Sequence, residues 1–204
     1  MKDKINNIWV TLAFVAANIV VFCICEALGG SENNAVLIRM GAVSRSLVSS
    51  GEWWRLFAAV FLHIGLAHLF TNMVSLLIFG TYMEKVLGHV RYAILYLAGG
   101  VLGYIFVYLC DTATGEDNLT AGASGAIFAL LGGLIALAIF RREMVGGMSA
   151  MRVVIIVLLM LFSGFSNSGI SFTGHLGGLL GGLIVTIMMM PTIKSVKKRR
   201  RRKG

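Results

Sequence analysis

Long uncharged apolar blocks alternate along the chain with short segments that carry its charge. The blocks are residues 5–25, 56–83, 92–110, 118–140 and 153–193. A helix crossing a ~30 Å hydrocarbon core needs about 20 apolar residues, so each of the first four blocks holds one span. The last block, at 1.5 Å per residue, reaches roughly twice that thickness. Its middle, residues 163–169, reads Ser-Gly-Phe-Ser-Asn-Ser-Gly, a polar and glycine-rich stretch that predicts a hairpin between two spans. The pattern thus predicts an all-α membrane protein with six transmembrane helices. The basic start before the first block resembles a signal peptide, but the block is too long for one and more spans follow, so an uncleaved first helix is expected. Between the first two spans a long connection, from Ser31 to about Leu62, sets Trp53 and Trp54 beside Arg55. Indole rings favour the headgroup layer, so this first loop is expected to be partly embedded in the membrane.

Composition supports this reading. The chain is 57% hydrophobic and only 13% charged, with a single proline, and its mean hydropathy is +0.85. A soluble domain of this size needs far more charge to cover its core. The net charge of +9 comes largely from the end of the chain, where residues 194–204 hold eight of the eighteen Lys and Arg. Residues 1–193 therefore read as one membrane domain, and 194–204 as a polybasic cytoplasmic tail that fixes topology and faces anionic lipid. With the N-terminus inside, all Lys and Arg except Arg39, Arg45 and Arg55 fall on the cytoplasmic side, so both termini are expected there. Nucleic acid is not an expected partner. The three cysteines, Cys23, Cys25 and Cys110, lack the spacing of a disulfide framework or a metal site, and no metal or cofactor is expected.

Polar side chains inside spans are costly and are functional candidates by default. Here they are His63, His68 and Asn72 entering the second span, Ser124 in the fourth and His175 in the sixth. Spans two, four and six run in the same direction. With span starts near Ile64, Leu119 and Ile170, His68, Ser124 and His175 lie roughly 6 to 9 Å below the outer surface and can share a cavity. A neutral imidazole beside a serine hydroxyl can accept its proton as attack begins. The oxyanion that forms needs donors in place. His68 and Asn72, at i and i+4, face a common spot, and the Ser124 amide adds a third donor at the positive end of its helix. Gly122 and Gly125 allow close approach around Ser124. Glycines on the sixth span, Gly174, Gly178 and Gly182 among them, pair with Ala121, Gly125, Gly132 and Gly133 on the fourth, which predicts close helix packing. The acidic residues near the outer face, Glu26, Glu32, Glu52, Asp111, Glu116 and Asp117, sit in or beside loops, so a dyad is expected rather than a triad. Phe128, at i+4 from Ser124, is placed to hold the imidazole by ring packing. Other readings stay open. Gly-x-Ser-Gly also serves as a packing motif, His63 at the span entrance suits a structural hydrogen bond, and a channel could use the three histidines as a polar path. His89 falls at the cytoplasmic side, outside the site.

These residues closely resemble the rhomboid intramembrane serine proteases. The matching pieces are Trp54-Arg55, His63-x4-His68-x3-Asn72, Gly122-Ala123-Ser124-Gly125, and Gly174-His175 with the glycines after it. In order and spacing they cover about residues 9–191. The resemblance implies the bacterial six-transmembrane form and hydrolysis of peptide bonds in or near transmembrane segments of membrane-protein substrates. It makes Ser124 the nucleophile, His175 its base, and His68, Asn72 and the Ser124 amide the oxyanion stabilisers. Arg55 and Glu84 would be structural. The protein would lie in the cell membrane, with its active site opening to the extracytoplasmic side. Many relatives carry tyrosine where Phe128 stands, so a stack on His175 is kept while a hydroxyl is lost. A catalytically silent, membrane-protein-binding relative is the alternative.

Overall fold

In the computed structural model, residues 8–141, 151, 154–158 and 171–193 are described, and every regular element among them is helical. The long helices are α1 (Trp9–Ala27), α5 (Leu66–Leu87), α6 (His89–Thr114), α7 (Ser124–Arg141) and α8 (Phe172–Met189). Three short helices, α2 (Asn34–Met40), α3 (Arg45–Ser49) and α4 (Arg55–Ala58), fold the connection between α1 and α5. Four helices among the described residues are long and apolar enough to cross a membrane: α1, α5, α6 and α8 with its last turn. The fifth, α7, is apolar but shorter. It is also central, with Ala126 to Leu131 all buried, so its neighbours are protein rather than lipid. The fifth expected span and its hairpin lie mostly outside the described residues; of that span, 154–158 are helical. The polybasic tail also lies outside them.

Glycine lets the core helices approach closely. A Cβ on Gly178 or Gly182 of α8 would run into the backbone of Gly125 or Ala129 on α7, and one on Gly132 of α7 into Leu179 on α8. The seam extends to a third helix. A Cβ on Gly99 of α6 would strike Ala129, and one on Gly103 would stand 3.1 Å from the Gly174 carbonyl. Such approach replaces side-chain volume with backbone dispersion contact, the packing that works where lipid removes the hydrophobic drive between helices. The faces turned outward stay apolar: Leu66, Phe70 and Ile78 on α5 and Ile184 and Met188 on α8 are exposed. That is the surface a bilayer requires.

Two polar clusters fix the ends of the bundle. At one end, buried Glu84 of α5 accepts from the amides of Val10 (3.0 Å) and Thr11 (2.8 Å) and from the Thr11 hydroxyl (2.6 Å). It thereby satisfies donors that the first turn of α1 leaves open. His89 Nδ1 lies 2.6 Å from the same carboxylate. Just before Glu84, residues Leu76–Gly80 form a π-helical turn within α5. At the other end, Arg55 is buried and ties the first loop together, donating to the carbonyls of Ile38 (2.6 Å) and Ala42 (3.1 Å) and pairing with Glu52.

One expected boundary needs correction. The uncharged block 118–140 suggests a helix start near Leu119, but α7 starts at Ser124. Val43 and Thr120 instead pair in a short antiparallel bridge, with N–O distances of 2.9 and 2.8 Å. Gly122 then turns the chain at φ +146°, a conformation that favours glycine. Extended chain therefore carries Ser124 to its depth, and the helical rise counted from Leu119 does not apply.

Candidate active site

Helices α5, α7 and α8 start at the same end of the bundle, and each brings a polar side chain there. Ser124 is the first residue of α7. Its amide and those of the next residues have no acceptor inside the helix, so donors and the positive helix end surround the hydroxyl. His175 stands in the first turn of α8, which Ser171 caps by accepting from the Gly174 amide at 3.1 Å. His68 stands in the first turn of α5 and Asn72 one turn further in. A cavity of about 370 Å³ opens between these helix starts, lined by Ser124, Gly125, His68, Gly174 and the α6 residues Gly103 and Tyr104.

His175 lies outside that lining, only 5% exposed. Its ring stacks on Phe128 with centroids 4.2 Å apart and planes at 16°. Neither ring nitrogen has a hydrogen-bond partner among the described residues. Phe128 is one helical turn beyond Ser124, and Gly125, next to Ser124, packs on Gly174, next to His175. The ring is thus held by packing close to the serine, with both nitrogens uncommitted. No carboxylate is hydrogen-bonded to it among the described residues.

The remaining candidates, Asn72, His63 and Gly122, stand outside the cavity lining. Asn72 is buried, and its Nδ2 is a donor without a partner among the described residues. His63 is fully buried and meets the His68 ring edge-on, with centroids 5.3 Å apart. Gly122 has a double constraint. Besides its positive φ, a Cβ there would stand 2.8 Å from His68 Cε1 and 3.7 Å from Ser124 Oγ. Its amide donates to the Ala59 carbonyl (3.0 Å), and the Tyr104 hydroxyl reaches both the Gly122 carbonyl (2.8 Å) and that of Ala59 (3.1 Å). One phenolic hydrogen serves one of these acceptors at a time.

Sequence reasoning left α6 out of the site. Gly100, Gly103, Tyr104, Val107 and Asp111 all line the cavity, and their spacing of three and four is a helical stripe that periodicity could have revealed. Among the described residues, no group of three or more His, Cys, Asp or Glu could hold a metal ion.

Residues 50–192 match the Rhomboid domain family. Rhomboid protease GluP of Bacillus subtilis (strain 168) is 40% identical over 172 residues, 84% of this chain and 33% of its own length. YdcA of the same organism is 34% identical over 141 residues, 69% of each chain. RHOMBOID-like protein 5 of Arabidopsis thaliana is 34% identical over 156 residues, 76% of this chain and 50% of its own length. The chain therefore spans a third of GluP and half of the Arabidopsis protein. The domain match takes in the cavity, the glycine seam and Glu84, and on that ground the chain belongs to the rhomboid family as a multi-pass membrane protein.

Proposed function

We propose that this protein is an intramembrane serine protease using a Ser124–His175 dyad. The observation that carries the reading is the stacked, otherwise unpartnered His175 ring beside a serine that faces an open cavity. The Ser124 hydroxyl attacks a substrate carbonyl as His175 takes its proton. His175 then protonates the leaving amine, and water hydrolyses the acyl-enzyme by the reverse path. His68, the free Asn72 amide and the Ser124 amide stabilise the oxyanion. Phe128 orients the imidazole, His63 backs His68, and Gly122 keeps the approach to the hydroxyl clear.

The domain, residues 1–193, has six spans with both termini in the cytoplasm, and the cavity opens to the extracytoplasmic side of the cell membrane. Substrates are transmembrane proteins. A membrane helix hides its carbonyls in hydrogen bonds, so the favoured segments carry helix-weakening residues and a small residue before the cut. The experiment is cleavage of a transmembrane reporter with a Gly/Ala-rich outer end, in liposomes. Cutting by the parent and its loss in Ser124→Ala and His175→Ala supports the reading. Cutting that survives either change contradicts it.

A further inference from the structure

The cavity has an acidic end that the proposed chemistry does not use. Asp111, in the last turn of α6, lines the same cavity as Ser124 and is only 5% exposed. Its Oδ2 has no hydrogen-bond partner among the described residues, while the Asn118 backbone N–H faces the carboxyl and the Asn118 side chain donates to Glu116 at 2.7 Å. Glu116, on the following loop, lines the cavity at its exposed rim. Asp117 adds a third carboxylate to the field at Asp111, against a single nearby guanidinium, that of Arg45. The backbone holds this arrangement. Arg45 Nε donates to the Glu116 carbonyl at 2.7 Å, and the Asp117 carboxylate accepts from the Ser46 amide at 2.9 Å, so the loop after α6 is pinned to α3.

A carboxylate buried in a cavity wall with one oxygen unsatisfied is costly unless a donor or cation reaches it. Arg45 gives its Nε–H to the Glu116 backbone, and no metal-holding group of three or more His, Cys, Asp or Glu is present among the described residues. Protonation removes that cost in the free protein, and a cation that enters with the ligand removes it in the complex. We propose that Asp111 and Glu116 form a subsite for a cationic side chain of the substrate, a lysine or arginine near the scissile bond. The inference rests on the protease reading and adds a specificity to it. An ammonium or guanidinium that reaches the Asp111 carboxyl gains a charge-assisted hydrogen bond in a partly dry wall, with Glu116 supplying attraction at the entrance. The selectivity is useful because basic residues are scarce on the extracytoplasmic flank of transmembrane segments, and one placed there distinguishes a few substrates from the many.

The test is a lysine scan through the reporter, five positions either side of the cut, with norleucine at the same positions as the uncharged match. Each pair gives a ratio of kcat/KM, and fluorophosphonate labelling of Ser124 runs alongside. The expected result is a preference for lysine of about tenfold at one or two positions, reduced to near unity in Asp111→Asn and partly in Glu116→Gln. Arginine should restore the preference at those positions. Because lysine and norleucine are compared within one variant, a loss of folded protein cancels from the ratio. Equal cleavage of the two reporters at every position overturns the subsite, as does a preference that survives Asp111→Asn. If neither labelling nor cleavage is seen in the folded parent, it is the protease reading that fails, and the two failures are distinct.

Discussion

Gly178→Ala should separate two helix surfaces whose contact sets the distance between Ser124 and His175. The added methyl would overlap the Gly125 carbonyl oxygen and stand 2.8 Å and 3.0 Å from the Gly125 carbonyl and α carbons, where ordinary contact begins at 3.4 Å. These are backbone atoms of a central helix and cannot swing aside, so α7 and α8 must part by roughly an ångström. Overpacking of this kind costs about 1–3 kcal/mol of stability. Misplacing reacting groups by that amount costs about a hundredfold in rate. The control is Gly181→Ala, whose methyl would meet the Leu102 side chain of α6, at 2.8 Å from Cβ and 3.2 Å from Cδ1, and leaves the α7 contact alone. The assay pairs thermal unfolding in detergent with the rate of fluorophosphonate labelling. Gly178→Ala should lower both, with labelling down about a hundredfold, while Gly181→Ala should lower stability with labelling within about tenfold of the parent. Parent-like labelling by Gly178→Ala, or an equal labelling loss in Gly181→Ala, would refute the argument that this contact positions the dyad.

Glu84→Ala removes the acceptor shared by Val10, Thr11 and His89 and should destabilise the fold by about 2–3 kcal/mol, read as a lower unfolding temperature, with Glu84→Gln costing less. Phe128→Ala removes the ring stacked on His175 and should cut the labelling rate at least tenfold, whereas Phe128→Tyr, which keeps the stack, should label within a few-fold of the parent. The Ser46 hydroxyl and amide hold the Asp117 carboxyl below the usual carboxylate range. A depressed folded pKa means that this contact stabilises the loop above the unfolded carboxylate pKa, about 4, and is lost as pH falls through the folded value. Hydrogen exchange at the Ser46 amide should therefore stay protected at pH 5 and lose protection in more acid solution, and Asp117→Asn should abolish that pH dependence.

The long apolar blocks made the membrane class and the α1, α5, α6 and α8 spans legible, because a bilayer demands about 20 apolar residues whatever the fold. The candidate site residues could be picked out because polar groups stand out in such blocks. The start of α7 was not, since residues 118–123 are as uncharged as the helix after them, and their extended course depends on a backbone bridge to Val43, 77 positions earlier. Gly99, Gly100 and Gly103 of α6 also escaped notice. Glycine adjacency alone does not say which helices meet, and the pairing of α7 with α8 left no reason to look for a third. Asp111 was grouped with the acidic residues in or beside loops, just past the apolar block 92–110. Its helix in fact continues to Thr114, so Asp111 stands in the last helical turn and lines the cavity.

The central claim is that Ser124 is a nucleophile activated by His175, and the most direct measurement needs no substrate. Purified protein in detergent is treated with a fluorophosphonate probe beside Ser124→Ala and His175→Ala, and the modified residue is located by mass spectrometry. The account predicts labelling of the folded parent at Ser124, none in Ser124→Ala, and a loss of at least a hundredfold in His175→Ala. A folded parent that fails to label, or labelling that persists in Ser124→Ala, would contradict it.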